Sequence, residues 1–185
     1  MQKVEKAVDG NEQEPKVEGH MSDDERQLKL PTLAAWISAL ATIGTIMLAE
    51  FLPRGDNAFV RGAGICLLAL AAVLIFAPFF LLRKHGRIED GGSYMQTRTV
   101  VDRGLYSIVR HPQYLGYMFL ACGFAFLSQH WLVMVLAAVG IAALYCQAVE
   151  EEGTCRARLG AAYAQYMQRV PRFNLVLGAL RVLSR

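Results

Sequence analysis

The chain has 185 residues, is 54% hydrophobic and carries 19 basic against 16 acidic residues, for a net charge of +3. Its apolar residues are massed in uncharged blocks instead of being spread at helical or strand period, which counts against an ordinary soluble domain. Bases interleaved with acids are a poor match to nucleic acid. Four cysteines without paired spacing predict neither a disulfide nor a metal site.

Residues 1–28 are predicted to form a disordered arm, because they hold many acids and few large apolar residues and cannot bury enough surface to offset ordering entropy. Residues 29–97 read as a two-span helical region with its following loop. The spans lie near 33–52 and 62–82, each about long enough for a hydrocarbon core of roughly 30 Å. Phe51 to Asn57 supplies turn residues between them. The first span follows a mixed-charge segment and is followed by a second span instead of a cleavage site, so it is expected to stay in the mature protein. Pro78 removes one backbone hydrogen bond and is expected to kink or weaken the second helix near its end. A polar connection, 83–110, follows, with turns expected at Gly86, Gly91-Gly92 and Gly104.

From His111 to Val149 there is no Asp, Glu, Lys or Arg. The run is too long for one crossing, and Ser128-Gln129-His130-Trp131 breaks it, which predicts an antiparallel pair of spans near 113–128 and 131–149. Arg110-His111-Pro112-Gln113-Tyr114 at the entrance and Glu150-Glu151-Glu152 at the exit are then neighbours on one side of the membrane. Only Arg54 and Arg61 fall between the first two spans, so the side rich in bases is expected to be cytoplasmic. Beyond it, 156–168 suits an amphipathic helix on the membrane face, with Leu159, Ala162, Tyr163, Tyr166 and Met167 on one side. Leu175 to Leu183 is too short for a fifth crossing and reads as an interfacial or docked tail.

Pro112 favours the first turn of a helix and pushes His111 out of the helical region, so Arg110 and His111 are expected just before the third span begins. Free N–H groups at that helix start favour an anionic ligand group. Tyr114, one turn in, offers a ring for stacking or for a cation. Taken singly, an acidic run is usually a solvated face, and an interfacial histidine is usually an anchor. The combination of an anion site, an acid cluster and aromatic rings at one mouth fits S-adenosylmethionine, which carries a carboxylate, an ammonium, a ribose diol, an adenine ring and a sulfonium.

The motif residues Gly104-x-Tyr106-x-x-Val109-Arg110-His111-Pro112-x-Tyr114-x-Gly116, then Glu151-Glu152 with Leu159-Gly160, Tyr163 and Tyr166, then Arg169-Val170-Pro171-Arg172 resemble the isoprenylcysteine carboxyl methyltransferase family, whose signature is related to that of phospholipid methyltransferases. The resemblance covers about residues 98–174 and marks 98–185 as a methyltransferase core. It implies an all-α, polytopic integral membrane protein of about four transmembrane helices with a C-terminal amphipathic cytosolic helix. The cofactor implied is S-adenosylmethionine. The acceptor implied is a lipophilic small molecule or lipid-linked substrate arriving from the bilayer, with membrane lipids as neighbours.

Carried over by position, His111, Pro112, Gln113, Tyr114 and Glu151 match the cofactor-binding element. Arg110 and Glu152 fall to the catalytic side, positioning the acceptor or closing a loop, and Tyr163, Tyr166 and Arg172 would close the pocket from the tail. Gln147 stands where the eukaryotic prenylcysteine enzymes are expected to hold the substrate carboxylate with an arginine, and Cys155 where a hydrophobic residue is usual. Without that fixed positive charge a carboxylate acceptor is less favoured than an amine or a thiol. Two other readings compete: an NADPH-dependent, steroid-reductase-like membrane enzyme, and a non-enzymatic membrane scaffold.

Overall fold

The computed structural model describes residues 32–85 and 102–184. The predicted arm at 1–28 and the turns expected at Gly86 and Gly91-Gly92 lie outside the described residues. Those residues form helices α1 (Leu33–Phe51), α2 (Ala58–His85), α3 (Leu105–Ile108), α4 (Pro112–Ser128), α5 (Trp131–Arg169) and α6 (Leu175–Leu183), with no strand among them.

The side-chain distribution on α1 shows what solvent these helices are built for. Trp36, Leu40, Ile43 and Met47, at spacings of three and four, are exposed, while Ser38, Ala41, Thr45 and Ala49 are buried on the opposite stripe. Large apolar residues outside and small or weakly polar ones inside is the reverse of a helix folded by water. It is the pattern of a helix in lipid, where association relies on close packing. The Thr45 hydroxyl donates to the Ala41 carbonyl at 2.7 Å, so its polarity is satisfied within the helix.

α2 packs along α4, α1 along α5, and α4 also packs against α5. The α2–α4 seam is close because both helices present glycine. A Cβ on Gly64 would lie 3.0 Å from the Gly123 carbonyl oxygen, and one on Gly123 would lie 3.2 Å from that of Gly64. Any side chain at either position would push the helices apart.

α1, residues 58–78 of α2, and α5 are each long and apolar enough to cross a membrane. α4 has 17 uncharged residues, about 26 Å of helix, which is at the short end of the spanning range. The protein is therefore all-α, with the expected out-and-back pair. Gln129, at φ 53°, caps α4, and the His130 side chain accepts from the Leu132 N–H to start α5. α2 runs past both ends of its predicted span and continues through Pro78, which is itself buried.

α5 departs most from expectation. It does not stop near Val149 but runs on to Arg169, interrupted only in backbone angle at Gly160, where φ is 58° and ψ is −135°. Glycine tolerates this conformation and other residues resist it. The apolar side expected over 156–168 largely holds across this kink. Tyr163, Tyr166 and Val170 are buried with Cys155, Leu159 and Met167 packed around them, whereas Ala162 is exposed. The Tyr166 hydroxyl donates to the Tyr106 carbonyl at 2.7 Å, so this face docks on the chain's own 102–110 segment. The tail forms α6, whose Gly178 sits so tightly on Ile108 that a Cβ would collide with the Ile108 carbonyl oxygen.

Candidate active site

Pro112 occupies the first turn of α4, and His111 precedes it at φ −121°, ψ 64°, outside the helical region, as steric conflict with the proline ring requires. No side chain caps the first turn of α4, which leaves its N–H groups available. A strap from the tail crosses this entrance. The Arg110 N–H donates to the Pro171 carbonyl at 3.0 Å and the His111 N–H to that of Arg172 at 3.4 Å. Pairing at the backbone fixes the registry of two segments some 60 residues apart, and with it the meeting of their side chains.

Their meeting point is Glu152. Its side chain is 4% exposed and receives Arg172 in a two-pronged contact, Nε to Oε1 at 2.9 Å and Nη2 to Oε2 at 2.6 Å. Arg110 Nη1 lies 3.1 Å from Oε1, and His111 Nε2 lies 3.2 Å from the same oxygen. A carboxylate removed from water at this depth is costly unless its lone pairs are filled, and a planar guanidinium fork fills two of them at once. Burial pushes the Glu152 carboxyl up, but hydrogen bonds from His111 and Arg172 and the charges of Arg110 and Arg172 outweigh it and hold the group down at about 2.

Three acids in succession would repel one another if they faced one way. On a helix they turn through about 100° per residue, and here Glu150 is exposed, Glu151 intermediate and Glu152 buried. α5 also continues past them, so they do not oppose a helix terminus. Glu151 keeps 42% of its side-chain surface and makes looser contacts: Oε2 is 3.9 Å from His111 Nδ1, and Tyr114 faces it. The two adjacent acids thus have different situations. Glu152 is saturated by this chain; Glu151 stays partly open to solvent.

Arg110 is 9% exposed at its side chain, and its Nε and Nη1 make no hydrogen bond although Nη1 is within ion-pair distance of Glu152. Buried guanidinium donors without acceptors are costly, and a site that receives an anion would relieve them. The rings around His111 are Tyr114, with centroids 5.6 Å apart, and Phe173, at 6.0 Å. Gln113 is half-buried with no polar partner among the described residues.

The structure therefore brings Arg110, His111, Tyr114, Glu151, Glu152 and Arg172 together, with Pro112 setting the start of α4. It does not bring Gln147 to them: Gln147 Nε2 donates to the Ser38 hydroxyl at 2.5 Å and tethers α5 to α1. Tyr163 and Tyr166 buttress the strap from the separate cluster below it. Two aromatic participants went unnoticed in the sequence. Tyr145 accepts from Arg172 Nη1 at its hydroxyl (2.8 Å), with the Arg172 guanidinium carbon 5.1 Å from its ring centre, and Phe173 packs on both His111 and Tyr145. Their only signal was position, Tyr145 two helical turns before Glu152 and Phe173 directly after Arg172. Among the described residues no group of His, Cys, Asp and Glu is arranged to hold a metal ion.

The phospholipid methyltransferase family model matches residues 60–158, more than half of the chain. The chain belongs to the phospholipid methyltransferase family. The isoprenylcysteine carboxyl methyltransferases, which its motifs resemble, fall in that family. The match takes in α2, α4 and α5 as far as Arg158, and so both Arg110-His111-Pro112 and the acidic pair; Arg172 and its strap lie beyond it. No curated protein and no solved structure matches the chain. Family membership and the lipid-adapted helices together make this a membrane methyltransferase.

Proposed function

We propose that the protein transfers a methyl group from S-adenosylmethionine to a lipophilic acceptor, at a site on the cytoplasmic side of the membrane. One observation carries the reading: the start of α4 and the middle of α5 are locked together at Glu152, and the lock leaves Glu151, the uncapped first turn of α4 and the unpaired Nε of Arg110 at one mouth. That donor set fits the cofactor. Its carboxylate would go to Arg110 and the N–H groups after His111, its ammonium or ribose hydroxyls to Glu151, and its adenine to the rings of Tyr114 or Phe173. Bound there, S-adenosylmethionine supplies a methyl group made electrophilic by its sulfonium.

The chain's own contribution is placement. Transfer to an aligned nucleophile needs little proton chemistry, so fixing two reactants in one geometry can supply much of the rate. Glu152 serves this by holding Arg110, His111 and Arg172 rigid, and Phe173 and Tyr145 help to exclude water. Glu152 is then a positioning residue and not a group that touches the acceptor. Of the nineteen Lys and Arg residues only Arg54 and Arg61 fall between the first two spans, which is the basis for assigning the hairpin mouth to the cytoplasm. With Gln147 engaged by Ser38, no cation stands at that position to hold an acceptor carboxylate, which favours an amine or a thiol over an ester-forming acid.

The test is to incubate membranes containing the protein with methyl-labelled S-adenosylmethionine and extract the lipids. Label stable to mild base is the expected outcome, base-labile label would point to a carboxyl ester, and no label above a Glu151→Ala control would refute the proposal.

A further inference from the structure

At the opposite end of the bundle, about 20–24 Å along α4 from His111, the close of α1, the start of α2 and the end of α4 enclose a cavity of about 180 Å³ lined by Ala49, Glu50, Arg54, Arg61, Phe124 and Leu127. Arg54 and Arg61 are the two Lys or Arg residues between α1 and the body of α2, and both line this cavity. Positive charge on this side of a membrane is disfavoured during insertion, so two arginines converging on one cavity call for a reason. Their situations differ. Arg54 Nη2 pairs with Glu50 Oε2 at 2.6 Å, and its charge is matched. Arg61 donates from Nη2 to the Gly55 carbonyl at 3.0 Å and has no acidic partner among the described residues, so its charge is left over.

The walls of the cavity are amphipathic. Their lining combines the guanidinium groups of Arg54 and Arg61 with apolar surface from Ala49, Phe124 and Leu127. The loop that forms the rim is held firmly: the Gly55 N–H donates to the Ser128 carbonyl at 3.0 Å, and Gln129 accepts from the Asn57 N–H at 3.1 Å while donating to the Asn57 carbonyl at 2.9 Å. The cavity is therefore a built feature where helix ends meet the headgroup region, with one unmatched cation beside apolar surface.

We infer that this cavity binds a phosphate-bearing anionic lipid of the leaflet opposite the candidate active site, its phosphate against Arg61 and its apolar portion against Phe124 and Leu127. A guanidinium offers paired donors that suit a phosphate oxygen pair. At the edge of the hydrocarbon the interaction is less screened than in bulk water. Glu50 opposes the binding of an anion, so its removal should strengthen it, whereas a purely structural cluster would only be weakened by that change.

The experiment is native mass spectrometry on the detergent-purified, delipidated full chain, titrated separately with phosphatidylglycerol, phosphatidylcholine and inorganic phosphate. Phosphatidylglycerol is expected to bind in preference to phosphatidylcholine. Arg61→Gln should lower its occupancy about tenfold, Arg61→Lys should retain part of it, and Glu50→Gln should raise it. Unchanged helical content by circular dichroism and monodisperse elution will show that each variant is folded. Equal phosphatidylglycerol occupancy in wild type and Arg61→Gln, a fall in Glu50→Gln, or displacement of the lipid by inorganic phosphate alone would each overturn the assignment.

Discussion

The two ends of the helical bundle treat charge in opposite ways. At the α1–α2 turn, Glu50 and Arg54 pair four residues apart with about half of each side chain in solvent. At the hairpin mouth, Glu152 meets Arg110, 42 residues away, and Arg172, 20 residues away, with almost none of its surface exposed. An exposed local pair contributes about 0–1 kcal/mol and can form in many conformations. A buried node joining three segments is tolerated only where the fold holds every partner in place, so it marks the end of the molecule whose geometry is specified. Burying charge at one end and leaving it wet at the other separates a node fixed by its ion pairs from a cluster whose charges stay accessible.

The sharpest way to break the contrast is to remove the acid from each end. Glu152→Ala strands two guanidiniums and should cost about 3–5 kcal/mol, seen as loss of folded protein or a large fall in midpoint on denaturation in detergent, whereas Glu50→Ala should fall within about 1 kcal/mol of wild type. Similar small losses from both would erase the distinction. Next in size is the division between neighbours on α5. Glu151→Ala should reduce S-adenosylmethionine affinity by about 10- to 100-fold, the equivalent of one charged hydrogen bond of roughly 1.5–3 kcal/mol, while leaving the denaturation midpoint almost unmoved.

Arg172→Lys keeps the charge at the node but loses the fork, and is expected to lower stability by about 1–2 kcal/mol and methyl transfer by more than any matching change at Arg54. Thermal denaturation and turnover on the same preparation check it. The smallest effect expected is with pH. Because the Glu152 carboxyl is depressed to about 2, its contribution to stability is fully present above the ordinary carboxylate range and is lost only as pH falls from there through about 2. Stability between pH 5 and 8 should therefore show no loss that disappears in Glu152→Gln.

Much of this was legible in the sequence. Uncharged blocks announce membrane helices because no charged residue is tolerated through the hydrocarbon, and the polar break at Ser128 to Trp131 announces the return. That logic also places the Arg110-His111 pair beside the acids, whatever the details of packing. It could not say which acid would be buried. Glu151 and Glu152 differ by one step of helix rotation, and the orientation of α5 is set by contacts such as Gln147 with Ser38 that no local pattern reveals. The kink at Gly160 is equally hidden, since a lone glycine in a helical stretch is compatible with a straight helix, and Ala162, expected on the apolar side, is exposed. Tyr145 was concealed by its setting, one aromatic ring in an apolar span where packing is the ordinary role.

The central claim is that the hairpin mouth is built to hold one small ligand between α4 and α5, and calorimetric titration of S-adenosylmethionine into the detergent-purified protein tests it most directly. Wild-type protein should bind with a single site, and both His111→Ala and Glu151→Ala, from opposite helices, should lose at least tenfold in affinity while remaining folded. Binding that survives both substitutions unchanged would contradict the account.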